Sequence, residues 1–488
     1  MKMSYDRTPG MSSTAQVLQR KISGHVIIDP NKMKEHLNDN VVVLGAGMTG
    51  LGAGLSGLPV FEAAEDPGGI CSSYYMRPGG GERYASASAD DECYRFEVGG
   101  GHWIFGGDAT VRHLLRSVTE VRSYARKSSV WLPQKEVLIP YPIQNHLACL
   151  GSELAARCLR EIVEAARVQE KVRTMGDWLK SSFGQTLCEL FFFPFHNLYT
   201  AGLYERIATQ DAYKSPVNLE HAIQGAFSSS PAVGYNTTFI YPAEGLNVLA
   251  QRMAARCDIR YGKRATKINL ADKEIFFSDG SNVRYGALLS TLPLNRTLEM
   301  AGLELPVKPD PSPSVLVLNI GAVKGPRCPE DHWVYVPASK AGFHRVGFYS
   351  NVDASFLPKS LRKSCEPVSI YVERAYPEGM KPDAAEVSAY SRNVIQELQE
   401  WGWVREIDVV DPTWIEVAYT WSWAGSQWRK QALAALEARD IYPVGRYARW
   451  VFQGIADSLR DGLIAGGAMT ALQQRIPNPN CAQDAHSR

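Results

Sequence analysis

Long apolar runs are missing from this sequence. No segment reaches the ~20 residues that a membrane-spanning helix needs. An excess of either charge is missing too: 52 basic residues face 51 acidic ones, for a net charge of +1. No bulk field therefore draws the chain to nucleic acid or to an anionic membrane. The nine cysteines, at 71, 93, 149, 158, 188, 257, 328, 365 and 481, form no C-x-x-C pair and no metal-ligand spacing. That argues against a metal site and against a disulfide framework. The N-terminus has no apolar h-region, which excludes a secretory signal. With an odd, unpatterned cysteine count, reduced thiols and a cytoplasmic address are expected. Internal repeats and low-complexity tracts are also lacking. What is present is 488 residues, enough for two or three domains, and 11 Trp with 22 Tyr, enough to wall a large pocket.

The most informative stretch runs from Val41 to Gly69. Val41 to Leu44 suits a buried parallel strand. Gly45, Gly47 and Gly50 follow as G-x-G-x-x-G, with Thr49 inside the motif. The first glycine permits a tight turn, and the second lets backbone approach a pyrophosphate. The third lets the next helix pack on the strand. Leu58 to Phe61 is a second apolar run, ended by Glu62, an acid placed to accept the hydroxyls of an adenosine ribose. The intervening helix is short, because only Leu51 to Gly57 separates the glycines from that run. A lone glycine motif is weak; strand, glycines, helix, strand and acid in one unit predict dinucleotide binding.

Further along, Tyr74 to Asp91 reads as a Gly/Ser/Ala-rich loop. Gly99, Gly100 and Gly101 before His102 bring backbone close to something flat. Val130 to Ile143 reads as a hairpin and Leu147 to Leu190 as helical. Short strands then lie between Ile259 and Pro293. From Ser314 to Trp414 strands dominate around an amphipathic helix at Glu386–Trp401, which reads as an antiparallel sheet. A helix over Gly462–Gln474 closes the chain. The predicted fold is α/β: a Rossmann-like FAD-binding domain, a helical insertion and an antiparallel β-sheet substrate domain. The boundaries are 40–130, 235–300 and 425–488 for the first, 145–234 for the second, and 131–144 with 301–424 for the third. An extension covers 1–39, with a candidate edge strand at Val26–Ile28.

These landmarks resemble the UDP-galactopyranose mutases, especially their eukaryotic-type branch, within the protoporphyrinogen oxidase and amine oxidase superfamily. Asp66-Pro67-Gly68-Gly69 is what FAD enzymes of that superfamily carry after the acid. The resemblance extends through Gly100-Gly101-His102-x-Ile104-Phe105 and Tyr141-Pro142-Ile143-Gln144-Asn145. It continues in Trp333-x-Tyr335-x-Pro337, Phe343-x-Arg345 and Gly445-Arg446. It covers about Val41 to Ala471 and implies FAD with a nucleotide sugar. It also implies a mutase that interconverts pyranose and furanose forms, with reduced flavin N5 attacking the anomeric carbon and no net redox change. An external reductant such as NAD(P)H would keep the flavin reduced. Oligomeric state stays open.

By resemblance, His102 and Arg345 are the catalytic candidates. Tyr141, Ile143 and Gln144 would hold the nucleoside base. Tyr335 and Tyr419 would reach the diphosphate beside Arg345. Gly68, Gly69, Ser72, Gly101, Ala265, Gly445, Arg446 and Ser458 join the glycine motif, Thr49 and Glu62 in holding FAD. Two positions depart from the family: Phe193 stands where a second clamp arginine is expected, and Phe452 where a second diphosphate tyrosine is expected. Losing a charge-assisted partner costs ~1.5–3 kcal/mol. An FAD oxidase or dehydrogenase acting on a sugar, amine or ring system is therefore the alternative, and a flavin-binding protein without turnover is a third. The competing reading of Arg345 is an exposed ion pair worth ~0–1 kcal/mol.

Overall fold

A computed structural model describes residues 40–167, 171–210, 218–228 and 237–475. The extension and its expected edge strand lie outside the described residues. Five strands form a parallel sheet in the order Ile441–Pro443, Ala287–Ser290, Val41–Leu44, Val60–Phe61 and Ile259–Arg260. All four residues of the central strand Val41–Leu44 are buried, as a strand covered on both faces requires.

The helix Met48–Gly54 is short and entirely buried. The terminal helix Ile455–Arg475 lies against it. Their contact is backbone on backbone. A Cβ added to Gly52 would stand 2.6 Å from Leu459 O, one on Gly462 1.9 Å from Thr49 O, and one on Gly466 2.6 Å from Ala53 O. The terminal helix starts earlier than the expected Gly462, which puts Ser458 in its first turn.

A seven-stranded sheet makes the second layer. Its order is Val404–Ile415, Ser314–Lys324, Pro367–Tyr376, Arg345–Phe348, Trp333–Tyr335, Ser128–Leu132 and Val137–Pro140. It is mixed rather than antiparallel, because Trp333–Tyr335 pairs in parallel with Ser128–Leu132. That hairpin arrives from far earlier in the chain, and no tight turn forces the antiparallel sense on this pair. The helix Ala384–Glu400 starts at a capping box of Asp383 and Glu386, and its Val394 and Leu398 pack in the apolar core behind the sheet.

A second correction concerns Tyr74–Asp91. Its first residues belong to a strand, Ser73–Met76, paired antiparallel with Tyr94–Glu97. Aromatic residues suit a pleated, covered surface, and the Gly/Ser-rich tail of the segment obscured that. The helical part runs through Ser152–Ala165, Met175–Leu187 and Phe193–Tyr199. One π-helical turn, Cys188–Phe192, precedes the last of these, and His196 Nδ1 lies 2.7 Å from Phe192 O.

The glycine contacts give a paired prediction. Gly462→Ala forces a Cβ into Thr49 O and should destabilise the fold by at least ~2 kcal/mol in chemical denaturation. Gly467, five residues on in the same helix, has nothing within 4 Å of its Cβ position. Gly467→Ala should therefore be neutral or stabilising by ~0.5–1 kcal/mol.

Candidate active site

The dinucleotide end is built by three segments distant in sequence. Gly45 turns the chain at φ 93°, and its Cβ position lies 2.5 Å from Thr291 Oγ1. A Cβ added to Gly50 would stand 1.7 Å from Gly45 O, whereas one added to Gly47 would meet nothing within 4 Å and face open space. Ala46 is held from both sides: its N–H donates to Glu62 Oε2 at 2.6 Å, and its carbonyl accepts from Gly68 N at 2.9 Å. Glu62 Oε1 also accepts from Ala64 N at 2.8 Å. Next to this turn, Glu62 and Ala265 help line a cleft of about 400 Å³ that also includes Gly45, Phe61, Arg264 and Arg296.

Gly445 sits at φ 82°, with its Cβ position 2.2 Å from Thr49 Oγ1. Arg446 then reaches inward. Its Nη1 donates to Gln453 O at 3.0 Å, and its guanidinium carbon lies 4.6 Å from the Phe452 ring centre. Its buried Nε has no hydrogen-bond partner among the described residues. Gly69 and Ser72 lie between the turn and the Ser73–Met76 strand. An open glycine cradle, a ribose-length acid beside a cleft and an inward, orphaned guanidinium donor fit a flavin dinucleotide. Gly45, Gly47, Glu62 and Ala265 would hold its nucleotide part, and Arg446 with the His102 loop its ring.

His102 is partly buried, with Nδ1 3.3 Å from Gly100 O. Burial, reinforced by Arg446, pulls its pKa down to about 4, so the ring is neutral at neutral pH. The glycines before it face side chains of the second sheet. Cβ positions at Gly100 and Gly101 would lie 2.6 Å from Glu373 Oε1 and 2.0 Å from the Tyr371 hydroxyl. The triplet is thus explained at least in part by the sheet it crosses, not by a flat ring alone.

A polar and aromatic wall follows from strand register. Tyr335 pairs with Arg345, and Arg345 with Glu373, so the three stand in one cross-strand row on one face. Arg345 makes a two-edged ion pair with Glu373, with Nε to Oε2 at 2.9 Å and Nη2 to Oε1 at 2.7 Å. Burial alone would raise the Glu373 carboxyl, but Arg345 and His344 hold it down to about 2. Tyr141 packs on Tyr335 at 4.8 Å between ring centres, Phe195 on Tyr335 at 5.4 Å, and Tyr199 on Tyr419 at 4.7 Å.

Several sequence-predicted residues stand apart from this wall. Ile143 and Gln144 are fully buried, because the short 3-10 turn Ile143–Asn145 packs into the helical core. Tyr141 is the accessible member of that trio. Phe193 packs on Tyr204 at 5.6 Å; two helical positions, about 200° of rotation, turn it away from the face on which Phe195 meets Tyr335 and His344. An arginine at 193 would not simply restore a clamp. Phe452 contacts Arg446. Sequence reasoning missed His344, Glu373, Phe195 and Tyr199. A signal for Glu373 existed: in Val368-Ser369-Ile370-Tyr371-Val372-Glu373 the odd positions share one face, which puts a carboxylate beside Tyr371.

The model of the family described as flavin containing amine oxidoreductase matches residues 51–311. That is more than half of the chain. The chain belongs to this family. Such a member is a flavin-dependent enzyme, and flavin here implies FAD. A crystal structure of reduced UDP-galactopyranose mutase superposes with a TM-score of 0.77 at 22% identity, covering 91% of this chain and 98% of that one. Putrescine oxidase bound to putrescine gives 0.54 at 14% identity, over 89% and 99%. A CLA-producing fatty acid isomerase from P. acnes gives 0.53 at 13%, over 88% and 98%. At these identities the likeness establishes a shared fold. Among the described residues no helix is long and apolar enough to cross a membrane, and no group of His, Cys, Asp and Glu is placed to hold a metal ion.

Glu62→Ala should leave this flavoprotein with less bound flavin. Losing a charged acceptor worth ~1.5–3 kcal/mol corresponds to ~10–100-fold weaker retention, measured by flavin absorbance after gel filtration. Acid sensitivity is also predicted. His102, His196 and His332 are each pulled to about 4, chiefly by burial. The unfolded chain therefore binds more protons between about pH 6.5 and 4, and stability falls as pH falls through that window. Glu97, raised to about 7 by burial, opposes this, as do Asp331 and Glu437, also raised by burial, whereas His146 and His344, lowered by burial, add to it. Thermal melting should drop from pH 7 to pH 5, and His196→Asn, which retains a donor for Phe192 O, should flatten part of the slope.

Proposed function

We propose that this enzyme is a mutase interconverting the pyranose and furanose forms of a nucleotide-activated sugar. The observation that carries the reading is the row Tyr335–Arg345, walled by Tyr141, Phe195, Tyr199 and Tyr419, beside the loop that bears His102. The likeness of fold to UDP-galactopyranose mutase supports it. When bound, reduced FAD would supply the electron pair for displacing a nucleoside diphosphate from an anomeric carbon, with no net redox change. Arg345, Tyr335 and Tyr419 take the leaving diphosphate by charge-assisted and phenolic hydrogen bonds. Tyr141 flanks the nucleoside. The aromatic wall of Phe195, Tyr199 and Trp421 excludes water from the sugar. Neutral His102, bonded through Nδ1 to Gly100, holds the loop between the two halves of the site.

One observation favours an oxidase instead. Arg345 is already neutralised by Glu373, and an aromatic cage whose own arginine is paired suits an uncharged or amine substrate. Putrescine oxidase shares the fold. The two readings separate in an anaerobic assay of dithionite-reduced enzyme on a panel of nucleotide sugars, with ring forms resolved by chromatography. Multiple turnovers without oxygen are expected. Oxygen-dependent turnover with peroxide release, and no ring-size change, would move the assignment to the oxidase. Arg345→Lys keeps the charge but loses the two-edged geometry and should lower kcat/KM ~10–100-fold at unchanged flavin content. Arg345→Ala is the poorer probe, because stranding a buried carboxylate costs ~3–5 kcal/mol of stability.

A further inference from the structure

Glu373 is the buried charge that the reaction above leaves without a role. Its side chain is 2% exposed, against 26% for Arg345. Arg345 holds it across the strand pair, its Oε1 lies 2.6 Å from where a Cβ on Gly100 would stand, and His344 Nε2 approaches Oε2 to 3.5 Å. Its two oxygens use up the Nε–Nη2 edge of the guanidinium. Nη1 has no hydrogen-bond partner among the described residues and is the edge left for a ligand.

The charge count of the site follows. At Arg345 an incoming diphosphate meets an ion pair of zero net charge rather than a free guanidinium; the other cation, Arg446, donates to the backbone carbonyls of Gln453 and Ala418 at the flavin end. The diphosphate also meets a fixed carboxylate one guanidinium away. Like charges across such a distance in a partly buried site oppose binding by more than the same pair would in water. A ligand with no charge loses nothing by the arrangement.

We infer that Glu373 sets the charge selectivity of this site: it is a built-in anion that competes with the substrate's diphosphate for Arg345 and keeps diphosphate affinity low. The inference rests on the nucleotide-sugar reading above. Glu373 acts through Arg345 and is a positioning and selectivity residue, not a catalytic one. Weak retention of the nucleoside diphosphate suits a group that must leave the anomeric carbon and return to it.

The test is calorimetric titration of the FAD-loaded protein with UDP, pyrophosphate and uridine. Glu373→Gln keeps the shape of the side chain and removes its charge. It should bind UDP and pyrophosphate at least tenfold more tightly and leave uridine binding unchanged. Glu373→Asp, which draws the carboxylate back from Nε and Nη2, should give a several-fold gain and answers the same question if the glutamine variant loses flavin. Unchanged or weaker UDP binding in flavin-replete variants, where the native protein binds UDP, would overturn the inference and leave the nucleotide-sugar reading standing. Absence of UDP and pyrophosphate binding in the native protein and both variants would overturn both.

Discussion

The contact between the buried helix Met48–Gly54 and the terminal helix Ile455–Arg475 is the constraint on which the rest depends. Gly52, Gly462 and Gly466 let two backbones meet where any Cβ would collide with a carbonyl or backbone atom. That closeness draws the last helix under the first turn and places Gly445 and Arg446 beside Thr49. Segments separated by nearly the whole chain thereby become one dinucleotide cradle. Overpacking any of these contacts would displace the cradle as well as cost stability.

The second sheet has its own fixed point in the Arg345–Glu373 pair. A buried pair gains Coulomb energy and loses solvation in similar measure, so it contributes little net stability, yet removing one partner is costly. Its effect is on geometry. It holds the guanidinium carbon 5.9 Å from the Tyr371 ring centre. Glu373 also lies under the Gly100–His102 loop, where a Cβ on Gly100 would meet its Oε1 at 2.6 Å. The same pair neutralises the Arg345 guanidinium. Mutase and oxidase readings therefore divide over it rather than over the fold, which both kinds of enzyme share.

The helical part contributes the apolar wall. A π-helical turn at Cys188–Phe192 shifts the phase of the helix that follows, and Phe195 and Tyr199, not Phe193, reach Tyr335, His344 and Tyr419. A one-residue change of phase rotates a helix by about 100°, enough to exchange a wall residue for an outer one.

The sequence by itself determined the dinucleotide unit, because its signals are local: an apolar run, three glycines at fixed offsets and an acid at the end of the next strand. It also determined the alternation of short strands after Ser314 and the amphipathic helix between them, through period and capping residues. Tertiary structure alone decided the parallel pairing of Trp333–Tyr335 with Ser128–Leu132, the partner of Arg345 and the burial of Ile143 and Gln144. Each of these depends on which strand lies beside which, and in what register. Glu373 shows the difference most clearly. Its strand and face follow from two-residue alternation, but its role follows from standing opposite Arg345, and cross-strand register between such strands is set by packing of the whole sheet, not by any short stretch of sequence.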